Sequence, residues 1–139
     1  MKIVSASAES VFPYPKEKLL RVVGAPGLIV NWHPWIESIT ISEMQGLVCR
    51  RARLAGGETE LVEKFWNEEG ANEFHFQAVQ GFWADYRYRS KILVEEVEGG
   101  CKVTWQGRLM MEEPEDEEEQ MKNFYREGLR GLGELLKEI

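Results

Sequence analysis

Residues 47–65 read LVCRRARLAGGETELVEKF. Gly56-Gly57 stands between two runs of mixed apolar and charged residues, the pattern of a tight β-hairpin. Taking the two glycines as the turn fixes the register. Leu54 then faces Thr59, Ala52 faces Leu61, Arg50 faces Glu63 and Val48 faces Phe65. The other face pairs Arg53 with Glu60, Arg51 with Val62 and Cys49 with Lys64. The first set is the more apolar, so it is expected to look inward, and it carries Arg50 and Glu63 with it.

The same reasoning extends outward along the chain. A turn at Gly99-Gly100 sets Val94 against Trp105, Ile92 against Gly107, Ser90 against Leu109 and Tyr88 against Met111. A turn near Glu69-Gly70 sets Phe65 against Phe74 and Glu63 against Phe76. Each hairpin has one apolar, aromatic face and one charged face, as antiparallel sheets covered on one side do. From Ile36 to Met111 the pattern is strands and tight turns. Ahead of it, Lys2–Phe12 reads as a strand, Lys16–Val23 as a short helix and Leu28–Trp32 as another, stopped by His33-Pro34. After it, Met121, Phe124, Tyr125, Leu129, Leu132, Leu135, Leu136 and Ile139 recur at helical spacing. This predicts one amphipathic helix over about Pro114–Glu138, with acidic residues at its positive N-terminal end. An antiparallel sheet with helices on one side is α+β. A curved sheet of about seven strands gripping the long helix buries both apolar surfaces in a single domain, residues 1–139.

Composition narrows the function classes. The chain has 17 basic and 24 acidic residues and a net charge of −7, which argues against nonspecific binding to nucleic acid or anionic membranes. No apolar run approaches the roughly 20 residues needed to span a bilayer. The start, MKIVSASAES, lacks the apolar stretch of a signal peptide, so a cytoplasmic location is expected. Cys49 and Cys101 form no CxxC pair, and His33 and His75 supply no histidine cluster. Neither a disulfide framework nor a metal site is read from them. There is no glycine-rich phosphate loop and no GxSxG elbow, and no cofactor is expected.

The order of elements, with several short stretches, resembles the START-like superfamily of polyketide cyclases/dehydrases and lipid-transport proteins. The stretches are Asn31-Trp32-His33-Pro34, Val48-Cys49-Arg50, Val62-Glu63-Lys64, Ala84-Asp85-Tyr86 opening a strand, Val103 to Arg108, and Phe124-Tyr125 with Gly128-Leu129. The resemblance implies the helix-grip fold shared with birch-pollen-type allergens. It also implies a cavity between sheet and long helix that takes a hydrophobic or aromatic small molecule: lipid-like, polyketide-like or quinone-like. Members include carriers, receptors and enzymes, so the fold leaves function open. Three readings follow: a binding protein working as a monomer or dimer, a cyclase/dehydratase-type enzyme using the same cavity, or a protein-interaction module whose cavity is collapsed and whose acidic helix start docks a basic partner.

The expected cavity wall comprises Phe65, Phe74, Phe76, Tyr86, Tyr88 and Trp105, together with Arg50 and Glu63. A plain core seldom takes an Arg and a Glu unless they are paired. The pair is either a structural ion pair or a ligand anchor, with the guanidinium fixing a carbonyl or carboxylate and Glu63 holding it. Tyr86 and Tyr88 either donate hydroxyls to a ligand or pack as aromatics. His33 either borders the cavity mouth as a general base or bonds backbone. His75 alternates with Phe74 and Phe76 and so points outward. Phe82-Trp83 lies in a strand connection, as a lid, a partner patch or a segment folded back over the core.

Overall fold

The computed structural model describes residues 1–68 and 72–139. β1 (Lys2–Phe12) leads into α1 (Lys16–Val23). A 3-10 turn at Pro26–Leu28 passes directly into α2 (Ile29–Trp32). The strands β2 (Ile36–Met44), β3 (Leu47–Leu54), β4 (Glu60–Trp66), β5 (Glu73–Gly81), β6 (Arg89–Val97) and β7 (Gly100–Met111) follow. α3 (Glu117–Glu138) closes the chain. All seven strands form one curved antiparallel sheet in the order β1-β7-β6-β5-β4-β3-β2. This is the expected α+β helix-grip arrangement. Among the described residues, no helix is long and apolar enough to cross a membrane.

α3 starts three residues later than the periodicity suggests. Asp116 is its N-cap residue, and Glu117, Glu118 and Glu119 fill the first turn, where the helix dipole favours negative charge. Its buried stripe is Met121, Phe124, Tyr125, Leu129, Leu132 and Leu136. Gly128 and Gly131 face α2. A Cβ on Gly131 would overlap the Trp32 carbonyl oxygen, and one on Gly128 would lie 2.6 Å from Trp105 Cζ3 and 2.7 Å from His33 Cδ2. The two helices therefore cross at nearly backbone contact.

The β3–β4 register is the expected one, with Arg50 opposite Glu63 and Val48 opposite Phe65. The β6–β7 register differs by two residues. Ile92, not Val94, faces Trp105, and Ser90 faces Gly107. The turn is Glu98-Gly99, with Gly99 at φ +86°, while Gly100 already pairs with Val97 in β7. Gly100 is needed for another reason: a Cβ there would overlap the carbonyl of Phe12. The β4–β5 register is also displaced by two. Phe65 faces Phe76 and Glu63 faces Ala78, with a bulge between Val62 and Glu63. The turn expected near Glu69-Gly70 lies outside the described residues. Both displacements are even, so they preserve which face looks inward.

The third difference lies between β5 and β6. Ala84-Asp85-Tyr86 is not the opening of a strand but a 3-10 turn, bracketed by Trp83 (φ +63°) and Arg87 (φ +56°) in the left-handed region. The wrap folds the Trp83 ring into the core, 4.9 Å from the Tyr88 ring, with Phe82 stacked outside it at 4.5 Å. Burying the indole offsets the strain of two non-glycine residues at positive φ.

Candidate functional site

Arg50 of β3 and Glu63 of β4 are directly opposed on the inner face, 3% and 4% exposed. Arg50 Nε and Nη2 both donate to Glu63 Oε1, at 3.3 and 3.2 Å. The guanidinium lies 4.3 Å over the Phe76 ring, and Nη1 makes a long 3.3 Å bond to the carbonyl of Pro26. Burial pushes the Glu63 carboxyl up, and the charge and hydrogen bonds of Arg50 oppose that shift without cancelling it. Ile41 of the edge strand is opposite Arg50 and 46% exposed. A Cβ on Gly27 would be 3.4 Å from Ile41 Cγ1, so this side chain reaches the Pro26–Leu28 turn. Leu28 of that turn is exposed too. The rim of the grip is therefore apolar, with a charged pair beneath it.

Deeper in, the rings interlock. Phe65 sits 5.4 Å from Phe76 and stacks on Phe74 at 6.1 Å. The Tyr88 and Tyr125 hydroxyls are 2.7 Å apart and both buried. Burial raises both phenols well above their ordinary range. Trp105 packs against Trp32, His33, Phe124 and Tyr125, and its Nε1 donates to Ser90 Oγ at 3.4 Å. Trp32 Nε1 is the one buried side-chain polar atom among the described residues without a partner.

His33 is 1% exposed. Its Nδ1 accepts the Trp35 amide N–H at 3.1 Å, so Nε2 carries the proton and donates to the Phe124 carbonyl at 2.8 Å. Burial lowers its pKa to about 4. Both nitrogens are engaged with backbone, and the expected mouth position is not found: His33 locks α2 to α3. His75 is on the outer face, stacked on Trp66 at 5.3 Å and 3.3 Å from Glu73.

The structure thus brings together Arg50, Glu63, Phe65, Phe74, Phe76, Tyr88 and Trp105 on the inner face. It removes Tyr86, which is 41% exposed on its turn. Sequence reasoning missed two partners. The Pro26 carbonyl gives no side-chain signal. The Tyr125 hydroxyl was hidden in an ordinary helical stripe. Among the described residues no group of three or more His, Cys, Asp or Glu could hold a metal.

Residues 3–137 match the family described as polyketide cyclase/dehydrase and lipid transport. The chain belongs to this family. No curated protein matches it in sequence. Solved structures share its fold. XoxI from Bacillus cereus has a TM-score of 0.81 at 18% identity, covering 96% of this chain and 95% of that one. An uncharacterized protein from Bacillus thuringiensis has a TM-score of 0.76 at 19% identity over 97% and 98%. Ara h 8.0201 has a TM-score of 0.77 at 19% identity over 99% and 100%. At these identities the likeness speaks for the fold alone.

Proposed function

We propose that this chain binds a hydrophobic small molecule on the inner face of the grip, entering between Ile41 and Leu28, with a carbonyl or carboxylate oxygen of the ligand taken by Arg50. The observation that carries this reading is the buried Arg50–Glu63 pair under an apolar, exposed rim. Glu63 fixes the guanidinium, and the 3.3 Å bond from Nη1 to the Pro26 carbonyl is weak enough for a ligand oxygen to replace it. The family's lipid-transport description and the aromatic wall of Phe65, Phe74, Phe76, Tyr88 and Trp105 suit an apolar or aromatic ligand body. The unpartnered Trp32 Nε1 offers a second donor in the same interior.

The test is native mass spectrometry of freshly purified protein, then titration of anilinonaphthalene sulfonate and of a fatty acid by fluorescence and calorimetry. Arg50→Met should weaken binding by roughly tenfold or more, a charged hydrogen bond's worth, in protein that is still folded. Glu63→Gln should weaken it less. No saturable binding by any apolar probe would overturn the proposal. Conversion of a bound polyketide-like probe, lost in Glu63→Gln while affinity persists, would instead assign this inner-face site to catalysis.

A further inference from the structure

The outer face of the sheet carries donors that the interior does not use. The register sets Ser5, Arg108 and Arg89 side by side across β1, β7 and β6, and Ser7, Gln106 and Lys91 form the adjacent row. Strand alternation puts all six on the face opposite the core. They line a groove of about 710 Å³ that also reaches Lys122 and one carboxylate, Glu118, of α3.

Within it, Arg89 and Arg108 are exposed and directly opposed, and like charges so placed repel. Several other basic side chains of the sheet are answered, though among the described residues Lys64, in the same cross-strand row as Arg89, is not. Glu60 lies against Arg51 and Arg53, Glu73 against Lys91, and Glu9 and Glu95 against Lys102. Neither Arg89 nor Arg108 has a carboxylate within ion-pair reach among the described residues. In a chain with 24 acidic residues, an undischarged arginine pair flanked by hydroxyl and amide side chains is matched to an anion from outside.

We propose that Arg89 and Arg108 form a phosphate-binding site on the outer face, separate from the ligand site proposed on the inner face. Two planar guanidinium forks give bidentate contacts to the non-bridging oxygens of a phosphate group. Its charge of about two at neutral pH neutralises both, which a single carboxylate does not. Ser5 beside Arg108 and the Gln106 side-chain amide one row away add donors. The phosphate belongs either to a soluble phosphorylated compound or to a lipid headgroup.

Pyrophosphate is the probe for the first source, titrated into the full chain by calorimetry at low ionic strength. Vesicles of phosphatidylcholine with and without phosphatidic acid, in a flotation assay, probe the second. The double variant Arg89→Gln/Arg108→Gln should raise the dissociation constant at least about tenfold for whichever probe binds. Arg51→Gln/Arg53→Gln removes the same charge elsewhere on the sheet and should change it less than about twofold. The first variant relieves a repulsion, so its melting temperature should stay at or above the wild-type value, which excludes misfolding as the cause of lost binding. Pyrophosphate binding without vesicle attachment assigns the site to a soluble compound. Attachment only to phosphatidic acid vesicles assigns it to a headgroup. Equal losses in the two double variants, or no saturable binding of either probe, overturns the site.

Discussion

The α2–α3 crossing and the β3–β4 hairpin both bury an ionisable side chain against aromatic rings, and they do so differently. At the crossing, His33 is neutral, both its nitrogens are bonded to backbone, and Gly128 and Gly131 let the helices close on it. At the hairpin, Arg50 holds one carboxylate oxygen through two donors and reaches a backbone carbonyl only at 3.3 Å. In the first, the ionisable side chain itself has no spare donor and no room. The second has a loosely held donor beside an exposed rim. Rigidity and recognition are thus allotted to different parts of one inner face.

The sharpest way to break the comparison is Gly131→Ala. The new methyl would overlap the Trp32 carbonyl, and a backbone atom cannot turn aside as a side chain can. We expect a loss of more than about 4 kcal/mol, in the exceptional range for one substitution, read by chemical denaturation or as failure to yield folded protein. Wild-type-like stability would mean that the crossing is pliable.

Arg50→Met comes next. Removing one partner of a buried pair costs about 3–5 kcal/mol. The lower end, about 3 kcal/mol, is expected here, because the raised carboxyl of Glu63 is already disposed to take a proton. Denaturation at pH 7 and at a lower pH would show the deficit shrinking on acidification.

His33 supplies a pH test of the crossing. Its folded pKa is depressed to about 4 from 6.5, so its contribution is fully present above pH 6.5 and is lost as pH falls through 4. About 2 kcal/mol should disappear between pH 7 and pH 5. His33→Gln should lack that part of the slope. Because Glu63 is common to both proteins, the difference between their pH profiles isolates the histidine. Identical profiles would show that His33 is not titrating out of a buried neutral state.

The smallest effect is at the ring pair. Tyr125→Phe removes the 2.7 Å bond to Tyr88 and should cost about 1 kcal/mol, since Ser90 remains near the Tyr88 hydroxyl. Melting temperature of the variant measures it.

Most of the fold was legible because strand parity is robust. Two hairpins slipped by two residues, and every inward assignment on their strands survived, Trp105 and Phe76 included. What failed was reading glycine as turn chemistry alone. Gly100 is dictated by the Phe12 backbone in a strand far away in sequence, which a local reading does not see. Tyr86 failed for a related reason. Burial of Trp83 pulls the chain into left-handed turns, and neither Trp83 nor Arg87 signals this as a glycine would. In the candidate site, the Arg50–Glu63 juxtaposition followed from one diglycine turn. The Pro26 carbonyl and the closed environment of His33 depend on how helices settle on the sheet, and no spacing encodes that.

The strand order has a kinetic consequence. Five ladders join strands consecutive in the chain, but β1 pairs with β7, Lys2 against Met111 and Phe12 against Cys101. The first strand to be synthesised thus finds its partner last, after the meander from β2 to β7 has formed from local hairpins. Closing so long a loop is the slow part of such a topology. Val4→Ala, on the buried side of β1, should therefore slow refolding, because β1 docks in the rate-limiting step. During translation, β1 stays without a sheet until almost the whole chain has emerged.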